Sequence, residues 1–101
     1  MSEKLSTQQI CALRSKAQTL EPVLKVGKQG LTPGFLKSVE EALAQHELIK
    51  VKFADLKDQK RALSPQLAEQ TGSILVTLIG NVLVLYRQQA DPTKRKVSLD
   101  R

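Results

Sequence analysis

Hydrophobic positions along the chain change their spacing several times, and each change marks an element. In LSTQQICALRSKAQTL (5–20), Ile10, Leu13, Ala17 and Leu20 recur at three- and four-residue intervals, the spacing of one helix face, while Arg14, Lys16 and Gln18 point elsewhere. Ser6, followed three residues later by Gln9, predicts a capping box, and Leu5 and Ile10 can staple across it. Pro22 bars the helix from continuing. The short apolar run 23–26 predicts a strand. TPGFLKSVEEALAQHE (32–47) predicts a second helix, capped by Thr32, with Pro33 at its first position and Leu31 stapled to Leu36. Its buried face is Leu36, Val39, Ala42 and Leu43, with Glu40 and Glu41 opposite.

The period then drops to two. In LIKVKFA (48–54), Ile49, Val51 and Phe53 alternate with Lys50 and Lys52, which predicts a strand with one core face and one wet, positive face. DLKDQKRALSPQLAEQTG (55–72) predicts a third helix through Leu63 and Leu67, stopped by Gly72. Pro65 is expected to kink or restart it, with Ser64 placed to cap the second piece. SILVTLIGNVLVLYRQ (73–88) predicts a hairpin around Gly80-Asn81, a two-residue turn suited to type II′. Its runs are apolar on nearly every residue, as in strands covered on both faces. One arrangement with that result packs the first helix against the side of the sheet opposite the other two.

The predicted class is therefore α/β: a two-layer domain with a four-stranded mixed sheet, in the order α-β-α-β-α-β-β. The first crossovers are expected to make parallel strand pairs and the final hairpin an antiparallel one. Residues 1–90 form the single domain. Residues 91–101, with Lys94, Arg95 and Lys96, read as a flexible basic tail.

Composition narrows the function. A 101-residue chain with 41% hydrophobic residues can bury one modest core. Phe35, Phe53 and Tyr86 are the only aromatic residues, so no platform for stacking several bases is available. Sixteen Lys and Arg against ten Asp and Glu give a net charge of +6, which points to polyanionic partners. The cations are not gathered on one strongly amphipathic helix, and no run is long and apolar enough to span a bilayer, so a membrane partner is disfavoured. Cys11 is the single cysteine, which excludes an internal disulfide and a cysteine-based zinc site; it reads as a small buried or inert thiol in a cytoplasmic protein. His46 is the single histidine, and beside Glu47 it reads as part of a helix-end polar pair. No nucleophile–base pair or metal-ligand spacing is present, so the chain is expected to be no enzyme and to need no cofactor.

The chemistry gathers at Gly27-Lys28-Gln29-Gly30. A strand precedes this loop and the Thr32 helix cap follows it. Bare glycine backbone, a cation and the unpaired amides of a helix start together suit a phosphate. A tight strand-to-helix turn needing positive φ explains the same residues, and the G-x-x-x-x-G-K-[ST] nucleotide loop is absent. Lys50 and Lys52 extend the positive surface or else guard a strand edge. Lys25 and Lys37 flank the loop in sequence. Lys57, Lys60 and Arg61 are partly neutralised by Asp55 and Asp58.

LKVGKQGLT (24–32), ALAQHELIKVKF (42–53) and IGNVLVLYR (79–87), in this order, resemble the YhbY family of bacterial proteins, single copies of the CRM (chloroplast RNA splicing and ribosome maturation) domain. The resemblance covers residues 5 to 88. It implies a fold similar to the C-terminal domain of translation initiation factor three. It also implies a GxxG loop comparable to that of KH domains, and association with precursors of the large ribosomal subunit. Carried to this chain, the RNA-binding candidates are Gly27, Lys28, Gln29 and Gly30, with Lys25, Thr32, Lys37, Lys50 and Lys52 around them. Pro65 departs from the family pattern. The expectation is a non-enzymatic, monomeric RNA-binding module; the alternative is a protein–protein adaptor on the ribosome or an assembly factor.

Overall fold

The computed structural model describes residues 5–89 and residue 93. The basic run 94–96, like most of the expected tail, lies outside the described residues.

Helix α1 (Thr7–Ala17) starts on the capping box: Ser6 Oγ accepts from the Gln9 amide at 3.1 Å, and Gln9 Oε1 accepts from the Ser6 amide at 3.0 Å. It stops one turn short of the predicted Leu20. Thr19 Oγ1 takes the Lys16 carbonyl at 3.1 Å, competing with helix continuation, and Leu20 is left outside the helix and exposed. Cys11 lies on the exposed face of α1, so the buried reading is corrected: the core face consists of Leu13 and Ala17. Strand β1 (Leu24–Val26) omits Val23, which is about half exposed.

Helix α2 (Pro33–His46) begins at Thr32, whose Oγ1 accepts from the Phe35 amide at 3.1 Å. It ends where Glu47 turns the chain at φ 64° into β2 (Leu48–Phe53). A short 3₁₀ turn (Lys57–Gln59) leads into α3 (Lys60–Thr71).

Helix α3 neither breaks nor restarts at Pro65, and Ser64 caps nothing: it is fully buried inside the helix. The carbonyl that Pro65 cannot bond is that of Arg61, and both residues are exposed, so water can serve it. Ser64, Leu67, Ala68 and Thr71 bury the opposite side, and this packing holds the segment helical. Gly72 closes it at φ 64°, with the Ser73 amide returning to the Ala68 carbonyl at 2.9 Å.

Strands β3 (Ile74–Ile79) and β4 (Val82–Tyr86) form the expected hairpin. Gly80 has φ 59° and Asn81 is not at positive φ, the signature of a type II′ turn.

The sheet order is β1-β2-β4-β3. β1 and β2 are parallel; β2–β4 and β4–β3 are antiparallel. The second crossover therefore does not produce an adjacent parallel pair, because β4 inserts between β2 and β3. The apolar β4, buried at four of its five residues, takes the interior position. One face of the sheet presents Val26, Ile49, Val51, Phe53, Leu83 and Leu85 to α2 and α3. The other presents Leu48, Val76, Val84 and Tyr86 to Leu13 and Ala17 of α1. The α/β class, the four-stranded mixed sheet and the placement of α1 opposite the other helices agree with the sequence pattern.

Candidate nucleic-acid interface

Parallel pairing of β1 with β2 brings three connections to one end of the sheet. The Val26 carbonyl accepts from both the Ala54 and the Asp55 amides, at 3.1 and 3.0 Å, which holds the β2–α3 connection against the end of β1. The Phe53 amide donates to the Asn81 carbonyl at 2.7 Å, adding the hairpin turn. Residues 27–30 lie among them, at the carboxyl ends of parallel strands, where open α/β sheets bind their ligands.

The loop is a β-turn: the Gly30 amide donates to the Gly27 carbonyl at 3.1 Å, with Lys28 and Gln29 at its corners. The Thr32 amide donates back to the Gly30 carbonyl at 3.1 Å, leading the chain into α2. The two glycines differ. Gly30 sits at φ 70°, and a Cβ there would lie 3.3 Å from Leu56 Cδ1, so the turn itself requires glycine. Gly27 has no positive φ, and a Cβ there would meet nothing within 4 Å. The plain-turn reading accounts for Gly30 and leaves Gly27 unexplained. A bare backbone at Gly27 is what close approach by another molecule needs.

The amides at this end are unequally committed. Thr32 takes Phe35, the Thr32 carbonyl takes Leu36, and Pro33 has no N–H. Among the described residues the amides of Lys28, Gln29 and Gly34 have no protein acceptor. Lys28 and Gln29 are the corners of the turn and Gly34 lies in the first turn of α2, so this end of the sheet carries amide donors of the kind that anions accept from. The Thr32 Oγ1 is already engaged as the helix cap.

The remaining lysines divide. Lys25 and Lys52 are register partners across β1 and β2, both exposed on the α1 side of the sheet. Lys50 shares that side, with its Nζ donating to the Leu20 carbonyl at 3.1 Å. Because β2 is paired on both edges, the edge-guard reading of Lys50 and Lys52 does not hold. Lys37 stands apart, on the outer surface of α2 beside Glu40 and Glu41, with the sheet between it and the other three. Lys60 is tied to the hairpin turn, donating to the Gly80 carbonyl at 2.6 Å and to Asn81 Oδ1 at 3.0 Å.

His46 is exposed, but Glu47 is fully buried, so the two are no helix-end pair. Glu47 Oε2 accepts from the Gln89 amide at 2.7 Å, and its carbonyl accepts from the Arg87 amide at 2.9 Å. Arg87 is a second residue whose role sequence reasoning missed. Its guanidinium donates to the Thr71 carbonyl at 2.9 Å and pairs with Glu40 at 3.4 Å, clamping the middle of α2 and the end of α3 to the end of β4. Neither role has a local sequence signal, since both partners come from distant elements. Among the described residues no group of three or more His, Cys, Asp or Glu could hold a metal ion, and no helix is long and apolar enough to cross a membrane.

Known proteins agree with this architecture. A protein of Pseudomonas aeruginosa named a probable RNA-binding protein is 41% identical over 98 residues, covering 96% of this chain and 94% of that one. An RNA-binding protein of Haemophilus influenzae is 43% identical over 84 residues, 82% of this chain and 85% of its own length. The solution structure of a hypothetical protein from Staphylococcus aureus superposes with a TM-score of 0.77 at 32% identity, covering 94% of this chain and all of that one. The CRS1/YhbY (CRM) domain model matches residues 5–87, the span that carries α1 to α3, β1 to β4 and the GKQG turn. The chain belongs to the CRS1/YhbY (CRM) domain family.

Proposed function

We propose that this protein is a non-enzymatic RNA-binding module that associates with precursor large-subunit ribosomal RNA during ribosome assembly, with the Gly27–Gly30 turn seated on the phosphate backbone. RNA binding is supported by the names of the relatives and by the net charge of +6. The observation that carries the loop assignment is Gly27, a glycine that neither dihedral nor packing demands, beside uncommitted amides and a lysine. Lys25 and Lys52 widen the positive surface from the adjoining strands. With three aromatic residues in the chain, Phe53 and Tyr86 of them buried, recognition rests on backbone and shape of folded RNA.

The test is a Lys28→Asp, Gln29→Asp double variant titrated into structured ribosomal RNA fragments across a salt series. Both glycines stay, so the turn is spared. The expected result is a loss of affinity and a log–log salt slope shallower by about one unit, the share of one phosphate contact. Unchanged affinity and slope would show that the turn is only a turn. Association with assembling particles that survives nuclease treatment would favour a protein partner instead.

A further inference from the structure

Helix α1 covers only part of its side of the sheet. The strand register sets out rows across that face. One row runs Lys25, Lys52, Val82, Ile79 from edge to edge, and the next holds Lys50, Val84 and Thr77. Leu13 and Ala17 pack on Leu48, Val76, Val84 and Tyr86, so the first row is beyond their reach. Ile79 is 62% exposed, the most exposed large hydrophobic residue described. Between this open part of the face and the flank of α1 lies a cleft of about 320 Å3, with Val82, Val84 and Ile79 on its apolar side and Arg14 and Lys50 as its cations. Among the described residues no carboxylate lines it.

We propose that this cleft seats one unpaired nucleotide of the bound RNA, its base against Ile79 and Val82 and its phosphate toward Arg14 and Lys50. The proposal rests on the RNA-binding reading and adds a second contact on a face the GKQG turn does not occupy. Three features of the cleft select this occupant. The described lining joins apolar side chains to the cations Arg14 and Lys50, which matches a ligand with a flat apolar face and an anionic link. Its volume is at the small end of the ~300–1,000 Å3 of small-molecule sites, sized for one base and not for a helix of RNA. Lys25 lies two residues before Gly27, so the lysine row continues the positive track from the phosphate turn to the cleft. Bases in a duplex are stacked and cannot enter, so only an unpaired base fits.

The experiment compares two RNA hairpins of identical stem, one with a single bulged nucleotide and one with an abasic residue at that position, each titrated into the full chain. The expected preference of the wild type for the intact bulge is roughly tenfold. Ile79→Ser, at an exposed position, should bring that ratio close to one while leaving affinity for the abasic hairpin and the salt slope unchanged. The Lys28→Asp, Gln29→Asp variant should weaken both hairpins alike and keep the ratio. A thiouridine at the bulge should photo-cross-link within 77–84. Equal affinities in the wild type, or a preference that survives both Ile79→Ser and Val82→Ser, would overturn the seat while leaving RNA binding intact. Absence of affinity for either hairpin would overturn the RNA-binding reading and the seat with it. A peptide that shifts the Thr77 and Val82 amide resonances, when the bulged RNA does not, would assign the cleft to a protein.

Discussion

Gly27 and Gly30 are three residues apart and chemically identical, yet the backbone gives them different duties. Gly30→Ala places a Cβ at φ 70° and 3.3 Å from Leu56, so it should destabilise the fold by about 1–2 kcal/mol. Gly27→Ala meets neither problem and should leave the melting temperature unchanged while weakening RNA binding. A thermal melt and a titration on the same two proteins separate turn from contact. If Gly27→Ala binds RNA as the wild type does, the backbone at 27 is not a contact. Arg87→Ala should cost about 1–2 kcal/mol, since it removes donors to the Thr71 carbonyl and the pair with Glu40. At a partly exposed position, its effect should appear in chemical denaturation with RNA affinity unchanged in the folded fraction. Neither the different conformations of Gly27 and Gly30 nor the Arg87 clamp could be read from sequence: a pair of glycines looks the same whichever φ each adopts, and an arginine after a strand carries no sign of which carbonyls it will reach.

At the scale of elements, α3 holds a test of propensity against packing. Pro65 leaves the Arg61 carbonyl without a helical donor, and burial of Leu67 and Ala68 keeps the segment helical regardless. Pro65→Ala should therefore stabilise the protein by about 1–2 kcal/mol and raise its melting temperature by several degrees, without changing RNA binding. A lower melting temperature would mean that the proline's restriction of the unfolded chain outweighs the lost hydrogen bond. Helix starts were the most legible feature of the chain, because caps act within four residues: Ser6 with Gln9, and Thr32 with Pro33, stand where they were expected. Helix ends were less so. α1 stops at Ala17 because of a local hydroxyl and the turn toward β1, and the apolar Leu20 gave no warning of it.

The whole molecule decides which lysines act together. Lys25 and Lys52 meet across β1 and β2, Lys50 leans on the Leu20 carbonyl, and Lys37 belongs to the other layer. Lys25→Gln with Lys52→Gln should accordingly flatten the log–log salt dependence of RNA binding by about one to two units, whereas Lys37→Gln should change it little. Equal effects from Lys37 and from the pair would place the RNA along α2 rather than along the sheet.

The order of the local signals along the chain was sufficient to determine the α/β class, the seven elements, both capped helix starts, the type II′ hairpin and the glycine turn ahead of α2. These depend on periodicity and on hydrogen bonds between near neighbours, both written in consecutive residues. Tertiary structure alone decided that β4 enters between β2 and β3, that Glu47 is buried, that Gly27 is bare without structural need, and that α1 leaves part of its sheet face open beside a row of lysines. Each of these depends on which distant surfaces come into contact, and the free energy of burying those surfaces belongs to pairs of elements rather than to any one stretch of chain.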